Sequence, residues 1–195
     1  MKRKGIALLL AASLLVALAG CGGNEAKVEE MPKTEFAADA QELAQKDYGD
    51  FTFSYPSKWT VISDETLDTA QKNSVVFSIG AALTPSGSMT NFNLVLADKQ
   101  PKDVEKITEK DVEATIAQVS SQTGAQFKLD ELKYYTLGSR NAVYFAYSGE
   151  LQGIPTTIIQ MVVNGEDCSY VFTCNIFDGD NEQNVKAIFS SIQFK

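Results

Sequence analysis

Apolar and polar positions alternate along much of this chain after residue 50. Phe51-Thr52-Phe53-Ser54-Tyr55 has the two-residue period of a half-buried strand. Pro56-Ser57-Lys58 then predicts a turn, because proline presets the backbone angle at its second position. Trp59 to Ile62, Val75 to Ile79 and Phe92 to Ala97 read as three further strands, with a loop over Thr84-Pro85-Ser86-Gly87-Ser88. The period changes at Thr108. Val112, Ile116 and Val119 share one helical face, Thr108 and Asp111 suit a reciprocal N-terminal cap, and Gly124 suits the stop. A helix is predicted over 108–123, with Glu109, Asp111 and Glu113 at its positive end.

Four strands are expected next, over 127–137, 141–148, 154–163 and 168–176. Asn164-Gly165 suits a two-residue hairpin turn, which needs positive φ at both central positions. That turn pairs Val163 with Glu166, Met161 with Cys168, Ile159 with Tyr170 and Thr157 with Phe172. One face then collects Met161, Ile159, Tyr170, Phe172 and Cys174, the better core. The other collects Val162, Gln160, Ser169, Val171 and Thr173. Ala142 to Tyr147 is apolar on both faces, so one strand is covered on both sides. Val185, Ile188, Phe189 and Ile192 predict a last helix within 180–191, capped by Asp180 or Asn181, and Gln193-Phe194 a short strand. Strands, helix, strands, helix is the order of an α+β domain, a central antiparallel sheet flanked by helices.

The start of the chain follows another rule. Lys2, Arg3 and Lys4 precede an uncharged apolar run of 14 residues, Ile6 to Ala19, and then Leu18-Ala19-Gly20-Cys21. A spanning helix needs roughly 20 residues, so the run suits an export signal better than a permanent span. The tetrapeptide resembles the lipobox of bacterial lipoproteins. The resemblance implies a diacylglyceryl group on the Cys21 sulfur and cleavage before it. Two acyl chains hold a bilayer stably, where one does so only reversibly. The chain accordingly divides into a signal peptide over 1–20, lipidated Cys21 with a flexible tether over 21–46, and a globular domain over 47–195. The tether is polar and acidic with few large apolar residues. If free, its 25 residues after Cys21 would reach about 25–30 Å.

Charge narrows the partners. Loss of residues 1–20 leaves 14 Lys+Arg against 25 Asp+Glu, a formal net of −11. Such a domain is repelled by nucleic acid and by anionic headgroups, so attachment to the lipid bilayer rests on the acyl chains.

The string Phe51-Thr52-Phe53-Ser54-Tyr55-Pro56-Ser57-Lys58-Trp59 resembles the opening of PsbP-like domains. Tyr170-Val171-Phe172-Thr173-Cys174 and Ser190-Ser191-Ile192-Gln193-Phe194-Lys195 resemble their close. The resemblance covers about 47–195 and implies an α/β/α sandwich. The family includes an extrinsic photosystem II subunit, a Ran-binding nuclear-transport factor and many bacterial surface lipoproteins. It implies protein–protein contact and no shared catalysis, and a shared fold does not transfer function. Metal contacts in the photosystem subunit involve histidine, and this chain has none, so no such residue carries over.

The lack of histidine removes Ser–His–Asp and Cys–His catalysis and His-ligated zinc or iron. No Gly-rich phosphate loop is present, and Gly87-Ser88 and Gly138-Ser139 read as turns. Asp178-Gly179-Asp180-Asn181-Glu182 could touch calcium but lacks EF-hand spacing, and reads better as the acidic start of the last helix. The Glu105–Glu113 acidic run reads as a solvated helix face. Cys168 and Cys174 on one strand lie about 20 Å apart, beyond the ~7 Å a disulfide spans, so no bridge or joint metal site is expected. Cys174 is expected buried and Cys168 nearer the surface. Trp59 and the tyrosines at 134, 135, 144, 147 and 170 could line a groove or fill the core, and the core is the better reading. The expectation is a non-enzymatic, lipid-anchored module on the outer side of a bacterial membrane, contacting an envelope protein and holding no cofactor or metal. The alternative is a small-ligand or calcium-binding surface lipoprotein.

Overall fold

The computed structural model describes residues 26–40, 42–62, 75–84, 87–100, 103–177 and 179–195. Its strands are β1 (Glu29–Glu30), β2 (Leu43–Asp47), β3 (Phe51–Pro56), β4 (Thr60–Val61), β5 (Val75–Gly80), β6 (Asn91–Asp98), β7 (Phe127–Leu137), β8 (Arg140–Leu151), β9 (Ile154–Asn164), β10 (Cys168–Phe177) and β11 (Gln193–Phe194). Among the described residues two α-helices join them, α1 (Glu109–Thr123) and α2 (Glu182–Ser190), with a 3-10 turn over Val104–Lys106. One eight-stranded sheet runs β1-β7-β8-β9-β10-β6-β5-β4, and a three-stranded sheet runs β11-β3-β2. Only the β1–β7 pair is parallel among the described pairs within these sheets. The fold is α+β, as expected.

Helix α1 forms as its sequence requires. The Thr108 side chain accepts from the Asp111 N–H, and Asp111 accepts from the Thr108 N–H at 2.7 Å. Gly124 ends the helix at φ 71°. Val112, Ile116 and Val119 face the large sheet, against Val143, Phe145, Tyr147, Val162 and Val171. On the opposite face Phe92, Leu94, Tyr144, Met161, Phe172 and Cys174 meet Phe51 and Phe53 of β3 and Val185, Ile188 and Phe189 of α2. The large sheet is therefore a middle layer. Both faces of β9 and β10 are buried, including Gln160, Val162, Ser169, Val171 and Thr173, so the face expected to be the weaker core is as closed as the other.

Four expectations need correction. First, Asn164-Gly165 is not a two-residue turn. Val163 pairs with Tyr170 and Met161 with Phe172, and the Gly165 N–H donates to the Cys168 carbonyl at 2.8 Å. The shift is four residues along one strand, an even number, so every side chain keeps its predicted face. The tight turn with positive φ at both positions is Gln152-Gly153, at 53° and 80°, between β8 and β9. Second, α2 has no side-chain cap. Asn181 stands at its N-cap with φ 62°, and its amide donates to the Asp180 carboxylate instead.

Third, the strand expected over Trp59 to Ile62 is only Thr60–Val61. Fourth, the described part of the expected tether lies on the domain. β2 pairs with β3, and Met31 and Phe36 pack against the aromatic core. The Thr34 and Ala37 N–H groups donate to Ser190 Oγ at 3.1 Å and Asn184 Oδ1 at 3.0 Å. Two large side chains and backbone hydrogen bonds hold a segment whose polar composition suggested none. The domain thus begins before residue 47. Residues 1–25, with the expected signal peptide and Cys21, lie outside the described residues.

Candidate functional site

One depression joins sequence-distant residues. After β3, the Trp59 N–H closes the turn onto the Pro56 carbonyl at 2.9 Å. This drops the indole into the aromatic core, where the residue is 4% exposed. Beyond β5 the chain turns back, with the Ala81 N–H donating to Thr90 at 2.9 Å and the Thr84 N–H to Ser88 at 2.8 Å. The loop between β10 and α2 arrives alongside, fixed by the Thr90 hydroxyl donating to the Asp180 carbonyl at 3.0 Å. Between these pieces lies an open groove of about 570 Å³, lined by Asp39, Lys58, Trp59, Leu83, Thr84 and Asp180 among others.

Its electrostatics are mixed. The Lys58 ammonium donates to the Asp39 carboxylate and, at 3.2 Å, to the Asp39 carbonyl. That hydrogen bond lowers the Asp39 pKa below the ordinary aspartate value. Trp59 Nε1 is buried without a hydrogen-bond partner, uncommon for an interior donor. Leu83, 63% exposed, adds an apolar rim. The groove can hold a small molecule with both polar and apolar parts. Two other open depressions exist among those described. One, of about 680 Å³, lies between α1 and β7 near Glu113, Ser120 and Phe127. The other, of about 580 Å³, lies by Glu131, Lys133, Tyr144, Glu182 and Lys186.

The remaining candidates are mainly structural. Tyr135, Tyr144 and Tyr170 belong to the aromatic core and Tyr147 to the α1-facing core. The Tyr147 hydroxyl donates to Gln160 Oε1 at 3.1 Å, that of Tyr170 to Asp50, and that of Tyr134 to the Ile107 carbonyl. Burial raises the pKa of Tyr144 and Tyr147 well above that of free tyrosine. Cys174 is buried and Cys168 half-buried, and the two are unbridged on β10. Gly138-Ser139 is a turn under the C-terminus. Gly138 has φ 65°, and a Cβ there would stand 2.0 Å from the Phe194 carbonyl oxygen. Asp178 lies outside the described residues. Asp180 and Asn181 reach the groove, and no cluster of three or more His, Cys, Asp or Glu suited to a metal occurs among the described residues. The reading from sequence missed Asp39 and Lys58, whose ion pair forms only because the segment before β2 folds back.

No family model and no curated protein matches this chain. Solved structures do. The solution structure of cyanobacterial PsbP (CyanoP) from Synechocystis sp. PCC 6803 superposes with a TM-score of 0.59 at 12% identity, over 91% of this chain and 99% of that one. The domain has a PsbP-like fold. LpqN of Mycobacterium tuberculosis, described as involved in cell envelope biogenesis, reaches 0.47 at 13% identity over 79% of this chain and 91% of its own. That overlap is too loose to bear on role. No described helix is long and apolar enough to cross a membrane.

Proposed function

We propose that this chain is an exported lipoprotein, held on the outer side of a bacterial membrane through acylated Cys21. Its PsbP-like domain acts there as a non-catalytic protein-interaction module. The observation that carries the reading is the sequence Leu18-Ala19-Gly20-Cys21 behind a positive start and a 14-residue apolar run. The domain behind it supplies surface and no histidine. Its aromatics are spent on the core. The partner is another envelope protein, and nucleic acid is disfavoured by charge. Pull-down from detergent-solubilised membranes tests this reading. Specific co-purification of one envelope component is expected, absent from a Cys21→Ser strain whose product leaves the membrane fraction. Membrane-bound protein that brings down nothing specific contradicts the interaction role.

A second reading has its own observation. The groove beside Trp59 brings the 180–181 loop against a buried, unpartnered indole N–H, which suits a small polar ligand. Thermal shift with calcium chloride and with a panel of small metabolites tests it. A ligand-dependent rise in Tm, lost in Asp180→Ala, favours ligand binding over protein interaction.

A further inference from the structure

The N-terminal segment is fixed to one edge of the large sheet. The Ala26 N–H donates to the Glu105 carbonyl at 3.3 Å, and β1 pairs with β7 at Tyr135 and Thr136. Met31 and Phe36 then pack on the aromatic core. Five residue steps separate Cys21 from Ala26. A trans chain spans at most about 3.6 Å per residue, so these two Cα atoms lie within about 18 Å whatever path joins them. A free tether of 25 residues would instead extend to about 90 Å.

We infer that the anchored domain is leashed by its β1–β7 edge within about 18 Å of the bilayer, and that its partner is a protein of that same membrane surface. The inference rests on the acylation of Cys21 proposed above. A compact domain of this size is about 40 Å across. Leash and domain together reach about 60 Å from the membrane, so a partner must present its contact inside that layer. Repulsion between the acidic domain and anionic headgroups opposes the domain lying flat, while the leash holds one edge in. The opposite edge, β4, is seven strand spacings from β1, about 34 Å at the usual separation. Trp59 immediately precedes β4, so the groove beside it belongs to the outward side.

The test uses full-length protein purified from membranes, with its acylation verified by mass, in vesicles of phosphatidylcholine and phosphatidylglycerol carrying a headgroup-linked acceptor dye. A donor dye is placed at Lys133→Cys on β7 or at Thr60→Cys on β4. Both positions are exposed. A Cys168→Ser background leaves buried Cys174 and sulfur-blocked Cys21 unlabelled. Energy transfer from position 133 is expected to be about twofold or more above that from position 60, because β7 and β4 stand six strand spacings, ~29 Å, apart. Fifteen Gly/Ser residues inserted between Asn24 and Glu25 add a reach of about 20 Å and should reduce the transfer from position 133. Equal transfer from both edges, or transfer from position 133 indifferent to the insertion, overturns the inference. Protein without acyl groups overturns the anchor reading instead. The docked terminus is then read separately by hydrogen exchange: protected Thr34 and Ala37 amides support the docking, and freely exchanging ones contradict it.

Discussion

The two faces of the large sheet are roofed by different means. One is covered by α1 and the neighbouring 3-10 turn, a local stretch of chain laid over valines and isoleucines. Its interior also holds polar links, such as Tyr147 to Gln160 and Gln160 to Thr173. The other face is covered by pieces from both ends of the domain: β2, β3, α2 and β11. These close over aromatic rings. Phe51 alone lies 5.0–5.3 Å, centroid to centroid, from Tyr48, Tyr170, Phe172 and Phe194. A local helix can cap itself and sit down independently. A roof assembled from chain ends exists only when the whole domain has closed, so the aromatic face should govern global stability.

Phe51→Ala tests that difference hardest. The side chain is fully buried, and its removal should cost about 3–5 kcal/mol in denaturant unfolding. Hydrogen exchange should rise together in β3, β11 and α2. A loss confined to β3 would break the comparison.

On the other face, Gln160→Ala strands the Tyr147 and Thr173 hydroxyls without a described partner and should cost about 1–3 kcal/mol. Gln160→Leu, with Tyr147→Phe and Thr173→Val, should recover much of that loss, because an apolar replacement removes every unmet polar group. Thr108→Ala, which removes the α1 cap, should cost about 1 kcal/mol. Its exchange signature should stay within α1, and a spread to α2 would show the faces to be one cooperative unit.

A further effect appears only in alkali. Burial raises the pKa of Cys174 above 9.0 and that of Tyr48 from 10.0 to about 12. Below pH 9 both groups stay protonated, folded or unfolded. Above it the unfolded chain releases protons that the folded chain keeps, so stability should fall from pH 9 to about 12. Tm measured against pH should decline in that window and decline less in Cys174→Ala. A flat profile would mean that neither group is shielded by folding.

Much of this architecture is legible in the sequence where one physical signal suffices. Thr108, Asp111 and Gly124 delimit α1 because capping is local chemistry. Alternation along 154–176 gives the right inward faces but not the right partners, since a four-residue shift preserves parity. Residue preference points to Asn164-Gly165 for the tight turn. It lies at Gln152-Gly153, where the register of two long strands forces a non-glycine to positive φ. Composition misleads for a related reason in the described part of the segment before β3. Its adhesion comes from backbone donors, Met31 and Phe36, which composition averages away. The groove beside Trp59 was half legible. Trp59 and the 178–182 loop stood out chemically, but only the fold-back of that segment puts Asp39 against Lys58.

Intact-mass analysis of the protein extracted from its native membrane decides most. The expected product is a chain that begins at Cys21 and carries a diacylglyceryl group. An unmodified chain retaining residues 1–20, or a soluble product with a bare cysteine, would contradict it.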